Sequence, residues 1–202
     1  MEKLIFATSN EKKIKEVREI LGASYEVVSL ADINFQGEIP EPFDTIRENS
    51  VHKAQFFCEK MNLACIAEDS GLEVDYLNGK PGAYSARYAG EERNDIKNNQ
   101  MVLTEMGETS QRAARFVSII TFKNKETERV FEGSMSGSIA HAPIGPNGFG
   151  YDPIFVPDGY TRTNAELSTD EKNAISHRRK ALDLMTEYFR ELNIDCKPLV
   201  KK

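Results

Sequence analysis

Two strand-to-helix units near the start of the chain constrain its fold more than any other feature. Lys3 to Thr8 is a short apolar run that enters Thr8-Ser9-Asn10, three residues suited to cap a helix; Ile14, Val17 and Leu21 then recur at helical spacing before Gly22. Tyr25 to Leu30 reads as the next strand, and an irregular, proline-containing stretch from Asn34 to Asp44 carries Glu38 and Glu41. A long helix follows. Thr45-x-x-Glu48 has the form of a capping box, and Ala54, Phe57, Cys58 and Met61 share one face. That helix leads into Leu63 to Ala67, an apolar run too short for a helix and read as a buried strand. A crossover helix between two strands makes a parallel pair and brings the strand ends to one edge of the sheet. Asn10 and Asp69 are therefore expected as neighbours.

The rest of the chain extends this frame. Asp95 to Met106 supplies a third helix ended by Gly107, and Arg115 to Phe122 and Glu128 to Ile139 flank Lys123-Asn124-Lys125 as an antiparallel hairpin. After a stretch rich in Gly and Pro, Ala142 to Gly159, Ser168-x-x-Glu171 forms a second capping box, and Leu182, Met185, Phe189 and Leu192 give the last helix a buried stripe. The expected architecture is α/β, a mixed central β-sheet flanked by helices, in a single domain over residues 1–195 with a loose tail at 196–202.

With 202 residues, 40% hydrophobic and 29% charged, the chain can bury a full core. A net charge of -6 argues against general affinity for nucleic acid or anionic membrane, which attract excess Lys and Arg. Cys58, Cys65 and Cys196 are odd in number and lack C-x-x-C spacing, against a disulfide framework or a structural zinc site, so a reducing, cytoplasmic setting is expected. The opening apolar run is too short for a signal peptide, and no segment has the length of a bilayer span.

Four clusters could carry chemistry. Glu68-Asp69-Ser70-Gly71 reads as a turn in which the strand end points two carboxylates out of the core, suited to a divalent cation or a general base; it reads equally as a solvated turn bonded to its own backbone. Thr8-Ser9-Asn10-Glu11-Lys12-Lys13 sets hydroxyls, amides and lysines at a helix N-terminus, which suits phosphate or is plain capping; it is not a Walker A loop. Lys172 and Ser176-His177-Arg178-Arg179-Lys180 form a basic cluster able to meet phosphate or a base edge, or a solvated helix face. Phe149-Gly150-Tyr151-Asp152-Pro153 offers a ring to stack on a nucleobase beside an acceptor, or a packed loop. The histidines His52, His141 and His177 show no metal-ligand spacing, and no G-x-S-x-G elbow is present.

Together, Thr8-Ser9-Asn10-x-x-Lys13, Glu68-Asp69-Ser70-Gly71-Leu72, Pro81-Gly82-x-Tyr84-Ser85-Ala86-Arg87-Tyr88, Gly148-Phe149-Gly150-Tyr151-Asp152-Pro153, and Ala165-Glu166-Leu167 through Lys172 to Ile175-Ser176-His177-Arg178 resemble the inosine triphosphate pyrophosphatase family, the Ham1-like group. The resemblance runs from residue 3 to about residue 190, with the segments in the family's order. It implies two lobes around a substrate cleft and hydrolysis of ITP, dITP and XTP at the alpha phosphorus, with Mg2+ as cofactor and a homodimer as assembly. By the same resemblance, Asp69 is the catalytic base and a metal-binding acid with Glu41. Thr8, Asn10 and Lys13 hold the triphosphate, Ser70 touches substrate, and Phe149, Tyr151 and Asp152 form the base pocket with Lys172, His177 and Arg178. A 6-keto purine would meet donors from that cluster, whereas adenine presents a donor of its own. Two rivals stay open: a Maf-like pyrophosphatase acting on pyrimidine or modified nucleotides, and a catalytically silent nucleotide-binding module.

Overall fold

In the computed structural model, which describes residues 2–192, six strands form one mixed sheet in the order β2-β1-β3-β4-β5-β6. The expected tail at 196–202 and Cys196 lie outside the described residues. β1 (Glu2–Phe6) runs into α1 (Glu11–Leu21), and Asn10 caps that helix by accepting from the amides of Lys12 and Lys13 at 3.1 and 3.2 Å. The strand stops two residues before Thr8 because the Thr8 amide turns back onto the Phe6 carbonyl. Ile14, Val17 and Leu21 are buried, and Gly22, at a φ of 55° that favours glycine, caps the helix end. β2 (Tyr25–Ser29) lies parallel to β1.

α2 (Ile46–Met61) begins at Thr45, whose hydroxyl accepts from the Glu48 amide and donates to the Glu48 carboxylate, so the side chain of Glu48 caps the hydroxyl rather than the Thr45 amide. Ala54, Phe57 and Cys58 are buried against the sheet. α2 crosses over to β3 (Cys65–Val74), which is parallel to β1 through Phe6 and Ile66 alone and then pairs antiparallel with β4 along its whole length. α3 (Asp95–Met106) follows, then the hairpin of β4 (Ala113–Lys123) and β5 (Glu128–Ile139), and β6 (Phe155–Pro157), a three-residue edge strand hidden in the sequence by its Pro.

The expected turn at Ser70-Gly71 does not exist. β3 is continuous for 10 residues, and Glu68 and Asp69 are buried within it, opposite Ile120 and Ile119 of β4. The residues that read as a turn are small for another reason. A Cβ on Gly71 would stand 2.2 Å from the Gly82 carbonyl oxygen, in a short helical turn over Gly82–Arg87 that packs onto the strand, and the Ser85 hydroxyl there accepts from the Leu72 amide at 2.9 Å. Since β1 ends at Phe6, β3 loses its neighbour on that side beyond Ile66. The acids stand at that opening.

The final helical region is two helices. α4 (Thr169–Ile175) starts with the complete Ser168–Glu171 capping box; Ser176 then takes extended backbone (ψ 149°) and accepts from the Arg179 amide, restarting the chain as α5 (His177–Leu192). Ala181, Leu182, Met185 and Phe189 are buried, but Leu192 is 55% exposed and lies outside the apolar cluster they share. α5 lies directly on β5: a Cβ on Gly133 would be 2.1 Å from the His177 carbonyl oxygen. The break turns Lys172 and the pair His177 and Arg178 inward from two helices.

Candidate active site

One cleft at the opening beside β3 gathers residues from every cluster singled out in the sequence: Thr8, Ser9, Asn10, Lys13, Glu41, Asp69, Ser70, Phe149, Gly150, Tyr151, Asp152, Lys172, His177 and Arg178. Glu11 and Lys12 do not line it. They face a groove alongside, where the Lys12 ammonium bonds Asp95 at 3.1 Å. Asn10 and Asp69 line the same cleft, as the parallel crossover requires.

Successive residues of a strand face opposite sides, and the two adjacent acids accordingly meet different partners. Glu68 accepts from Arg178 Nε at 2.9 Å and from the Ser118 hydroxyl at 2.7 Å, with Lys13 Nζ 3.5 Å away. Burial alone would raise its pKa; Arg178 and Lys13 outweigh it and hold the carboxyl well below the usual carboxylate range. Asp69 accepts from Lys53 Nζ at 3.1 Å, and its burial, reinforced by nearby Glu41, wins over Lys53 and Lys13, so its pKa is raised. Asp69 Oδ2 is buried without a hydrogen-bond partner.

Lys53 bridges the acids that the sequence proposed for metal, donating to Glu41 Oε1 at 2.7 Å as well as to Asp69. Desolvation opposes its charge, but the two carboxylates outweigh that and raise its pKa. Sequence reasoning passed over Lys53, although a signal was there: it stands four residues before Phe57, on the stripe of α2 that faces the sheet. Glu16 was also missed. It is buried on α1, accepts from Lys172 Nζ at 2.8 Å and forms a close ion pair with Arg178. Its position three residues after Lys13 gives no hint of this.

Lys172 donates also to Asp152 Oδ2 at 2.7 Å, and the same carboxylate accepts from the Phe149 amide at 2.8 Å and from Asn164 at 3.1 Å. Gly148 makes room for this: at φ 78°, a Cβ there would stand 2.2 Å from Asp152 Oδ2. An alternating line of charge therefore runs Asp152, Lys172, Glu16, Arg178, Glu68, Lys13, of which Asp152, Lys172, Arg178 and Lys13 line the cleft. Lys172 still has one of its three N–H donors uncommitted by these acids. His177 stacks on Phe116 with centroids 4.9 Å apart and has a buried Nδ1 without a partner; burial first, then Arg178, pushes its pKa well below the ordinary 6.5. The Phe149 ring has the Lys172 ammonium 4.8 Å from its centroid. Tyr151 is buried, and its hydroxyl donates to the Ser85 carbonyl at 2.8 Å, so its tip is committed to the scaffold.

The sequence model of the Ham1 family matches residues 4–188. The chain belongs to the Ham1 family. The dITP/XTP pyrophosphatase of Flavobacterium psychrophilum is 43% identical over 187 residues, covering 93% of this chain and 98% of that protein. The dITP/XTP pyrophosphatase of Bacillus subtilis is 46% identical over 192 residues, covering 93% and 96%. Among solved structures, the Staphylococcus aureus Ham1 protein superposes with a TM-score of 0.86 at 38% identity, over 95% of this chain and all of that one. The six-stranded mixed sheet is thus the Ham1 fold, and the cleft lies within the matched region.

Proposed function

We propose that this chain hydrolyses non-standard purine nucleoside triphosphates, dITP, ITP and XTP, to the monophosphate and pyrophosphate, with Mg2+, acting as a cytoplasmic homodimer that clears them from the nucleotide pool. It is a nucleoside triphosphate pyrophosphatase, as its Ham1 relatives are named. The observation that carries the reading is the unpartnered Asp69 Oδ2 in a cleft whose other wall is built of Lys13, Lys172, His177 and Arg178. The two-lobed form of the domain is supported by separate apolar clusters, one around Phe6 and Phe122 under α1 and α5, another around Phe116 and Phe155 beside α3.

The residues fit a hard divalent cation. Asp69 keeps a free, desolvated oxygen, Glu41 stands across Lys53 from it, and the pair already stabilises one cationic group between them. Mg2+ takes few protein ligands and fills the rest with water and phosphate, which suits a site offering Asp69 and Glu41. When bound, the ion neutralises phosphate charge and acidifies the attacking water. Asp69 would serve as the general base that takes the proton of the attacking water. Lys13, held beside Glu68, faces the charge gathered by the leaving pyrophosphate. Thr8, Ser9, Asn10 and Ser70 supply further polar contacts to the phosphates, and Phe149 stacks on the base while Lys172, His177 and Arg178 meet its keto edge.

Pyrophosphate release from dITP, XTP, ATP, dTTP and UTP, with and without Mg2+, tests this. Selective, Mg2+-dependent turnover of dITP and XTP is expected. Preference for dTTP and UTP, or binding without turnover, would overturn it.

A further inference from the structure

Gly150, the residue that follows Phe149, is held at both its backbone N–H and its C=O by α3. The Gly150 amide donates to Asp95 Oδ2 at 3.0 Å, and the Gly150 carbonyl accepts from Asn99 Nδ2 at 3.0 Å. Asp95 and Asn99 are four residues apart, so they project from one face of the helix as two prongs. Their own base is rigid: Val102 and Met106 of α3 are buried in the core, and Asn99 is itself 5% exposed. The same Asp95 oxygen accepts from Lys12 Nζ at 3.1 Å, and that ammonium lies 5.4 Å from the centroid of Phe149. The loop so gripped is held at Phe149 as well, whose amide donates to Asp152 Oδ2 at 2.8 Å, and Gly145, Gly148 and Gly150 all take positive φ.

We propose that Asp95 and Asn99 are positioning residues that set the plane of Phe149 for the purine ring, resting on the reading of the cleft given above. A clamp on the backbone of the next residue removes rotational freedom from the adjoining ring before substrate arrives, and the gain is in nucleoside binding rather than in the chemical step. The phosphate end of the cleft, around Lys13 and Asp69, takes no part in the clamp.

The test compares Asp95→Ala, Asn99→Ala and Asp95→Asn with the parent protein. Both alanine variants should raise KM for dITP about tenfold with kcat within about twofold, while inhibition by inorganic pyrophosphate, which has no base, stays unchanged. Asp95→Asn keeps an oxygen acceptor for the Gly150 amide and should hold KM within about twofold of the parent. Hydrogen exchange at the Gly150 amide, read without substrate, should speed up in Asp95→Ala and not in Asp95→Asn. Unchanged exchange at Gly150, an unchanged KM, or an equal loss of pyrophosphate inhibition would each overturn the clamp. An inactive parent protein with normal exchange differences would instead overturn the pyrophosphatase reading.

Discussion

Arg178 Nε donates to Glu68 Oε1 at 2.9 Å with the two side chains 2% and 0% exposed. Removing one partner of such a pair leaves a charge in a medium that cannot solvate it. Glu68→Ala is expected to cost about 3–5 kcal/mol of stability, measured by urea denaturation, because Arg178 would keep only Glu16 and a long contact to Ser70. A loss under about 1 kcal/mol would mean that water reaches the pair.

Asp69 is read out in turnover. Asp69→Asn keeps an oxygen acceptor for Lys53 and should stay folded while turnover falls by about 10²-fold or more, as expected for loss of a general base. Parental turnover in a folded Asp69→Asn protein would remove Asp69 from the chemistry.

Lys53→Met tests the bridge between Glu41 and Asp69. Without the ammonium, two partly desolvated carboxylates face each other, and the metal-free protein should melt several degrees lower, by roughly 3 kcal/mol. Added Mg2+ should then raise the melting temperature more than it does in the parent, since a ligand stabilises in proportion to its affinity for the folded state. Equal shifts in both proteins would place the ion elsewhere.

His177 gives a pH signature. Its folded pKa lies well below 6.5, so below pH 6.5 the unfolded chain takes up a proton that the folded protein refuses. Stability therefore falls as pH drops, by about 1.4 kcal/mol per unit from this residue until the folded group titrates too. Denaturation curves of the parent and His177→Asn should converge between pH 7 and 5, with the variant losing less. Parallel curves would show His177 charging normally in the fold.

Much of this was legible in the chain. α1, α3 and the hairpin announce themselves through capping residues and periodicity, and the expected junction of Asn10 with Asp69 follows from one crossover rule. The Ser70-Gly71 turn failed because small polar residues signal either a bend or a close approach, and only the packing of Gly82 against Gly71 tells which. Leu192 continues the helical stripe in sequence, yet the buried part of that stripe ends at Phe189. Glu16 and Asp95 were illegible as site residues for a shared reason. Each matters through partners distant in sequence, Lys172 lying 156 residues from Glu16 and Gly150 55 from Asp95.

The alternating charges from Asp152 to Lys13 also bear on how this cleft can change over generations. Glu16 and Glu68 each serve two bases, and Lys172 and Arg178 each serve two acids. Exchanging any one of them strands a neighbour on either side, so a drift in base preference by single steps passes through poorly folded intermediates. Divergence within this architecture should therefore proceed by compensated pairs at these positions, and by free single exchanges on the exposed face of α3.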